Sequence, residues 1–225
     1  MDLNFSEDQR SLRDEVRRFL ADRAGSASMR EAAENKSGFD AALWDMAAAE
    51  LGFCAIIVPE QYEGMGLGAV ELALVMEECG RRLACIPAWS TIAMAIPLLL
   101  ALASKETKAR LLPEIAMGAH RIALAPNGVV RAEKTDGGYS LTGKVGPLAD
   151  LPSATLVLVP AALNDGSFGL FAVSPGALQI ETVRTVDLTR SFGRADLDAV
   201  ELGADARLDE SGFSEEALEI GRAHV

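Results

Sequence analysis

The groups able to act as nucleophiles, bases or metal ligands are few and scattered. Cys54, Cys79 and Cys85 form an odd set without Cys-x-x-Cys spacing, and His120 and His224 repeat no His-x-x-x-His pattern. Neither a zinc site nor a disulfide framework is indicated, so the metal assignment is none. The thiols read as reduced and mostly buried, as in a cytosolic protein. Ser90 and Ser104 have no His-acid context that would make either a nucleophile. Gly64-Met65-Gly66-Leu67-Gly68 has glycines of the kind that let backbone N–H groups approach a phosphate. It lacks the preceding strand, the following helix and the full spacing of a dinucleotide fingerprint, and reads as a turn. Arg17-Arg18 and Arg81-Arg82 are isolated pairs that read as solvated helix faces. Trp44 and Trp89 read as core aromatics rather than stacking platforms.

The elements that would position such groups change character midway. Ser6-Glu7-Asp8-Gln9 has the form of a capping box, and Leu12, Val16, Phe19 and Leu20 follow on one helical face. The pattern predicts a second helix over Leu43–Leu51 with Gly52 as a left-handed cap. A third carries Leu72, Val75, Met76 and Cys79 and ends near Gly80. A fourth starts after Pro87. A fifth, capped by Ser104, carries Leu111, Leu112 and Ile115 and ends at Gly118. After Gly118 short strands are predicted. Asp136-Gly137-Gly138 joins Val129–Lys134 to Tyr139–Thr142 as a hairpin, and Thr155–Val159, Phe168–Val173, Leu178–Val183 and Leu197–Leu202 follow. Helices followed by strands predict an α+β chain: an N-terminal helical bundle, then a small antiparallel β-barrel or sandwich, with the boundary near residues 118–121.

Of the 225 residues, 49% are hydrophobic and 24% charged, enough apolar surface for a packed core. The formal net charge of −12, from 33 acidic and 21 basic side chains, argues against a nucleic-acid partner, which requires clustered Lys and Arg. Leu83 to Ser104 runs for about 22 residues without a charge, a bilayer-spanning length. Pro87 and Pro97 interrupt it, so a helix buried in a bundle is expected and no membrane insertion. Met1-Asp2-Leu3-Asn4 lacks the layout of a signal peptide, and a cytoplasmic location is expected.

Several motifs, in order, resemble one family. Leu51-Gly52-Phe53-Cys54-Ala55-Ile56-Ile57-Val58-Pro59-Glu60, followed by Gly64–Gly68, looks like the acyl-CoA dehydrogenase stretch in which a helix ends at Leu-Gly and enters a glycine-rich loop through Val-Pro-Glu. Phe5–Gln9 matches the family's usual opening, and Glu77-Glu78-Cys79-Gly80-Arg81 resembles the end of its next helix. Lys108 to Gly118 resembles the segment before its β-domain. Gly137-Gly138-Tyr139-Ser140-Leu141-Thr142-Gly143-Lys144 matches its hairpin. The resemblance covers about Phe5 to Leu202.

The resemblance implies FAD as cofactor, an acyl-CoA substrate, an electron-transfer partner, and homo- or hetero-oligomers of acyl-CoA dehydrogenase subunits. Family members desaturate the acyl group between the α and β carbons: a Glu removes the α-proton while a hydride leaves for the flavin. Their β-domain meets the flavin through a Thr-Glu-Pro segment and a Trp-Ile-Thr segment. The matching positions here are Leu124-Ala125-Pro126-Asn127-Gly128 and Pro147-Leu148-Ala149, the candidate cofactor-binding residues. Both hydroxyl positions are alanine and the aromatic is a proline, which leaves backbone groups of Ala125, Leu148 and Ala149 as possible contacts. Val186-Asp187-Leu188-Thr189-Arg190 is similar to divergent actinobacterial-type members acting on steroid or other bulky acyl-CoAs, several of them built from two unlike subunits. Asp187 and Arg190 could equally stabilise a loop.

The expected organisation is a helical domain over 1–118, a β-domain over 119–207 and a stub of the C-terminal helical domain over 208–225, that bundle being otherwise missing. Residues 220–225, Ile-Gly-Arg-Ala-His-Val, read as one frame of a sequencing-library adapter and are expected to be non-native. In the family the missing bundle carries the catalytic Glu, so no catalytic residue is assigned and these 225 residues alone are expected to be inactive. The reading is therefore an FAD-dependent acyl-CoA dehydrogenase lacking its base. The alternatives are a non-catalytic partner subunit and a related flavin monooxygenase or oxidase.

Overall fold

The computed structural model describes residues 4–35, 38–125, 130–214 and 216–217. Helix α1 spans Glu7–Arg23 and opens as expected: Gln9 N–H donates to Ser6 Oγ at 3.1 Å, and Ser6 N–H donates to Gln9 Oε1 at 3.0 Å. Helix α2, Ser26–Glu34, was not expected; of its residues only Ala32 is buried, so it carries no apolar stripe to read. Helix α3, Ala41–Leu51, is capped by Gly52 at φ 59°, where a side chain would be strained. The glycine-rich segment then folds back on the chain before it. Met65, Gly66 and Leu67 N–H groups donate to Ala55, Val58 and Ile56 carbonyls, and a Cβ on Gly64 would stand 1.9 Å from Val58 O. Its amides are engaged, and the segment is a structural turn.

Helix α4, Ala69–Arg82, packs against α1. Arg17 and Arg81 lie on partly exposed helix faces, and their pairing with a buried acid was not read from the sequence. Both reach Glu78, whose side chain is fully covered: Arg17 Nη2 lies 2.7 Å from Oε1 and Arg81 Nε 3.4 Å from Oε2. The hydrogen bond from Arg17, and then the two cations' charge, hold the Glu78 carboxyl below its ordinary range. A depressed carboxylate contributes stability above its unfolded pKa and loses it as pH falls through the folded value. The arginines are 43% and 52% exposed, so the cost of a broken buried pair is discounted for screening. Glu78→Gln is expected to lower stability by about 1–2 kcal/mol at neutral pH and by little in acid. Urea melts at both pH values would check this; an equal loss at both would refute the ionic account.

The helix expected after Pro87 starts there but is not uniform: residues 83–87 are irregular, Trp89–Ala95 form a π-helix, and α5 continues it over Ile96–Leu102. Pro97 has no N–H to give, and its ring disfavours the tighter α-turn before it. The turn widens instead, and Ile96 N–H donates to Thr91 O, five residues back. Helix α6, Lys105–Ala116, begins at Ser104, whose Oγ accepts from Thr107 N–H at 3.0 Å. Among the described residues no helix is long and apolar enough to cross a membrane.

Seven strands follow: β1 Ile122–Leu124, β2 Arg131–Thr135, β3 Gly138–Ala149, β4 Leu156–Ala162, β5 Phe168–Val173, β6 Gln179–Val183 and β7 Phe192–Gly203. They form one sheet in the order β1-β4-β2-β3-β7-β6, with β5 also on β4. The hairpin lies where the turn residues put it, with Thr135 opposite Gly138. The α+β class holds as expected, although β4 pairs parallel with β1 and with β2, so the sheet is mixed. Period-two alternation sorts the side chains into two cores. Ile122, Leu124, Leu158 and Leu170 join the helical core, whereas Ala123, Ala125, Val157, Val159, Phe171 and Val173 fill a second core against β3 and β7.

Candidate functional site

The π-helix fixes the start of β1 and the end of β3, the strands that lead into the two segments singled out by the sequence. Ile122 N–H, at the start of β1, donates to Thr91 Oγ1 at 2.8 Å. Ser90 Oγ donates to Asp150 Oδ2 at 2.7 Å, and Asp150 directly follows β3. Asp150 N–H in turn donates to Ser191 O at 2.8 Å, just before β7. One wide helical turn therefore sets both the β1 edge and the end of β3.

Leu124 faces the helical core and Ala125 the β core, the latter only 1% exposed. Ala125 N–H donates to Leu158 O at 2.9 Å, so this amide is not free for a ligand. Pro126, Asn127 and Gly128 lie outside the described residues. At the end of β3, Pro147 is exposed after a cis peptide bond, Leu148 is buried in the same core as Ala125, and Ala149 is half-buried. Leu148 and Ala149 stand opposite Gly193 and Phe192 of β7. The result, among the described residues, is a rim of two strand ends over one shared core, apolar and without a side-chain hydroxyl. Such a rim suits a flat ring in van der Waals contact; of the described residues, only main-chain groups could hydrogen-bond to the ring's edge.

The sequence reading did not single out Asp150, which sits in the left-handed region at φ 60° and is buried. Desolvation pushes its carboxyl above the ordinary range, against the hydrogen bond from Ser90 and the charge of Arg190. An acid with a raised folded pKa binds its proton more tightly when folded, so stability falls as pH rises from the ordinary carboxylate value through the raised one. Asp150→Asn should keep an acceptor for Ser90, tolerate φ 60°, and remove that loss. The expected result is a variant that melts higher than wild type at neutral pH, by about 2–4 °C for each kcal/mol recovered, and equally in acid. A lower melting point for the variant at neutral pH would show that the charge on Asp150 is stabilising.

Cys54, Cys79 and Cys85 are free and buried, as expected. Burial pushes the thiols up to about 12, 12 and 11, which makes them unreactive at neutral pH. Trp44 is a core residue, but Trp89 is 44% exposed and lines a cavity, which corrects its assignment to the core. No group of His, Cys, Asp and Glu suited to a metal occurs among the described residues.

Residues 6–119 match the N-terminal domain of acyl-CoA dehydrogenases. The chain belongs to the acyl-CoA dehydrogenase family. It is 31% identical over 132 residues to acyl-CoA dehydrogenase IpdE2 of Mycobacterium tuberculosis, a match that spans 58% of this chain and 41% of that one. Its fold is that of the ChsE4-ChsE5 complex from M. tuberculosis (TM-score 0.87, 24% identity, all of this chain and 62% of the other). A glutaryl-CoA dehydrogenase from Mycobacterium smegmatis, in complex with FADH2, has the same fold (TM-score 0.81, 18% identity, 98% and 60% covered). This chain thus spans between about two fifths and about three fifths of the length of these proteins.

Proposed function

We propose that the chain supplies the helical and β portions, residues 1–118 and 119–207, of an FAD-dependent acyl-CoA dehydrogenase that desaturates an acyl-CoA thioester. The observation that carries the reading is the paired rim, the end of β1 and the end of β3 over one core, with the start of β1 and the end of β3 held by one π-helix through Thr91 and Ser90. Leu124, Pro147 and Ala149 would lie along the ring, with Leu148 and Ala125 supporting them from the core and Pro126–Gly128 continuing the first segment. The flavin, when bound, accepts the hydride; the chain's own part is to orient the ring and keep water from its covered face. None of the described residues is assigned as the base that removes the α-proton.

A second reading has support of its own. The rim has no hydroxyl, Pro147 has no N–H and the Ala125 N–H is engaged, so recognition of the ring edge is weak. That favours a non-catalytic partner subunit in a heteromeric acyl-CoA dehydrogenase. The full-length protein, purified with any subunit that accompanies it, separates the two. Retained FAD that is bleached by an acyl-CoA, with electrons passed to an artificial acceptor, supports the dehydrogenase. Flavin carried wholly by the companion subunit supports the second reading, and absence of flavin from every preparation refutes both.

A further inference from the structure

A cavity of about 340 Å³ lies between the end of α4, the irregular 83–87 segment, the start of the π-helix and the 187–190 loop. Met76, Cys79, Leu83, Ile86 and Trp89 give it an apolar side, and Asp187, Thr189 and Arg190 of the loop line the other, with Arg190 its one cation. Arg190 is half-buried, and among the described residues it makes no hydrogen bond, ion pair or ring contact. Its nearest acidic neighbours are otherwise engaged. Asp187 Oδ1 accepts from Thr189 N–H at 2.9 Å and from Thr189 Oγ1 at 2.6 Å, and Asp150 accepts from Ser90. A guanidinium presents five donors in a fork that matches a carboxylate; the charges of Asp187 and Asp150 reach Arg190, yet none of its donors is taken by a hydrogen bond among the described residues. The volume falls within the range of small-molecule sites, about 300–1,000 Å³.

The cavity also adjoins the rim. Trp89 precedes Ser90, Arg190 precedes Ser191, and Ala149 precedes Asp150; Ser90, Asp150 and Ser191 are the hydrogen-bonded junction. Two wall residues, Trp89 and Arg190, are thus one peptide bond from groups that fix the end of β3. An acyl group seated here would lie beside the proposed flavin edge with its far end toward Arg190.

We propose that the cavity receives an acyl group whose apolar body ends in a second carboxylate, and that Arg190 binds that carboxylate. The inference rests on the acyl-CoA dehydrogenase reading and names its substrate class. The test is binding of suberyl-CoA and octanoyl-CoA, equal in chain length and different in the terminal carboxylate, to the full-length protein, followed by tryptophan fluorescence, to which Trp89 contributes from the cavity wall. Suberyl-CoA is expected to bind about ten- to a hundred-fold more tightly, the worth of a hydrogen bond to a charged group. Arg190→Gln should abolish that preference without weakening octanoyl-CoA, and Arg190→Lys should retain part of it. Equal binding of the two thioesters by wild type overturns the inference and leaves the dehydrogenase reading standing. So does an equal weakening of both by Arg190→Gln, which would assign the guanidinium to the CoA phosphates. Failure of both thioesters to bind wild type overturns both readings.

Discussion

Trp44→Ala is expected to bring the chain close to unfolding at room temperature. Trp44 is wholly buried, and its Nε1–H donates to Gly118 O at 2.9 Å. Gly118 is the residue at which helix gives way to strand: it sits at φ 79°, and a Cβ there would stand 2.5 Å from that of Ala48. The indole therefore fills the helical core and pins the start of the β half. Removing it leaves a cavity and an unpaired carbonyl, at a cost of about 3–5 kcal/mol, much of the stability of a typical domain of about 5–15 kcal/mol. Trp44→Phe separates the two contributions: it keeps most of the volume and loses the hydrogen bond, for about 1–3 kcal/mol. Urea unfolding followed by far-UV circular dichroism gives both. A loss under 1 kcal/mol for Trp44→Ala, roughly the level of a surface change, would show that Trp44 is not the anchor described.

What could be read from sequence follows from the range of the interaction concerned. The Ser6–Gln9 cap, the Gly52 cap and the Asp136–Gly138 hairpin depend on residues two to four apart, and each stands where it was expected. Strand β5 runs over Phe168–Val173 as predicted, because both ends are marked by turn residues. Helix α2 was missed, since a surface helix with one buried alanine has no periodic signal. Strand β7 begins at Phe192, well before the predicted Leu197, because its early residues pair with β3 and β6 rather than announcing themselves by propensity. At the site the division is sharper. The proposed flavin segments, Leu124–Gly128 and Pro147–Ala149, rest on counting from neighbouring motifs. The Ser90–Asp150 bond could not be found that way, because it joins residues 60 apart. Nor could the inward direction of Ala125, which depends on the pairing of β1 with β4.

That direction decides between two substitutions that look equivalent in the sequence. Alanine stands at both positions where the family has a hydroxyl, yet only Ala149 lies on the proposed rim with part of its surface open. Ala125 is packed in the β core with Val130, Leu148 and Val157. In the full-length protein, Ala149→Thr is expected to tighten FAD binding about fivefold, the value of one hydrogen bond of about 1 kcal/mol to a polar atom of the ring edge. Its thermal stability should change little. Ala125→Thr is expected to do the reverse. A branched side chain and a hydroxyl enter a filled core, costing about 1–3 kcal/mol in overpacking and in a buried group without a partner, with no gain in flavin affinity. FAD dissociation followed by flavin fluorescence, with thermal melts of the same three proteins, measures both effects. Unchanged or weaker binding in Ala149→Thr would remove the flavin from the end of β3. Tighter binding in Ala125→Thr would mean that β1 turns its other face to the cofactor. No detectable FAD on any of the three, with flavin carried by a companion subunit, would favour the non-catalytic subunit, whose fold keeps the rim without the ligand.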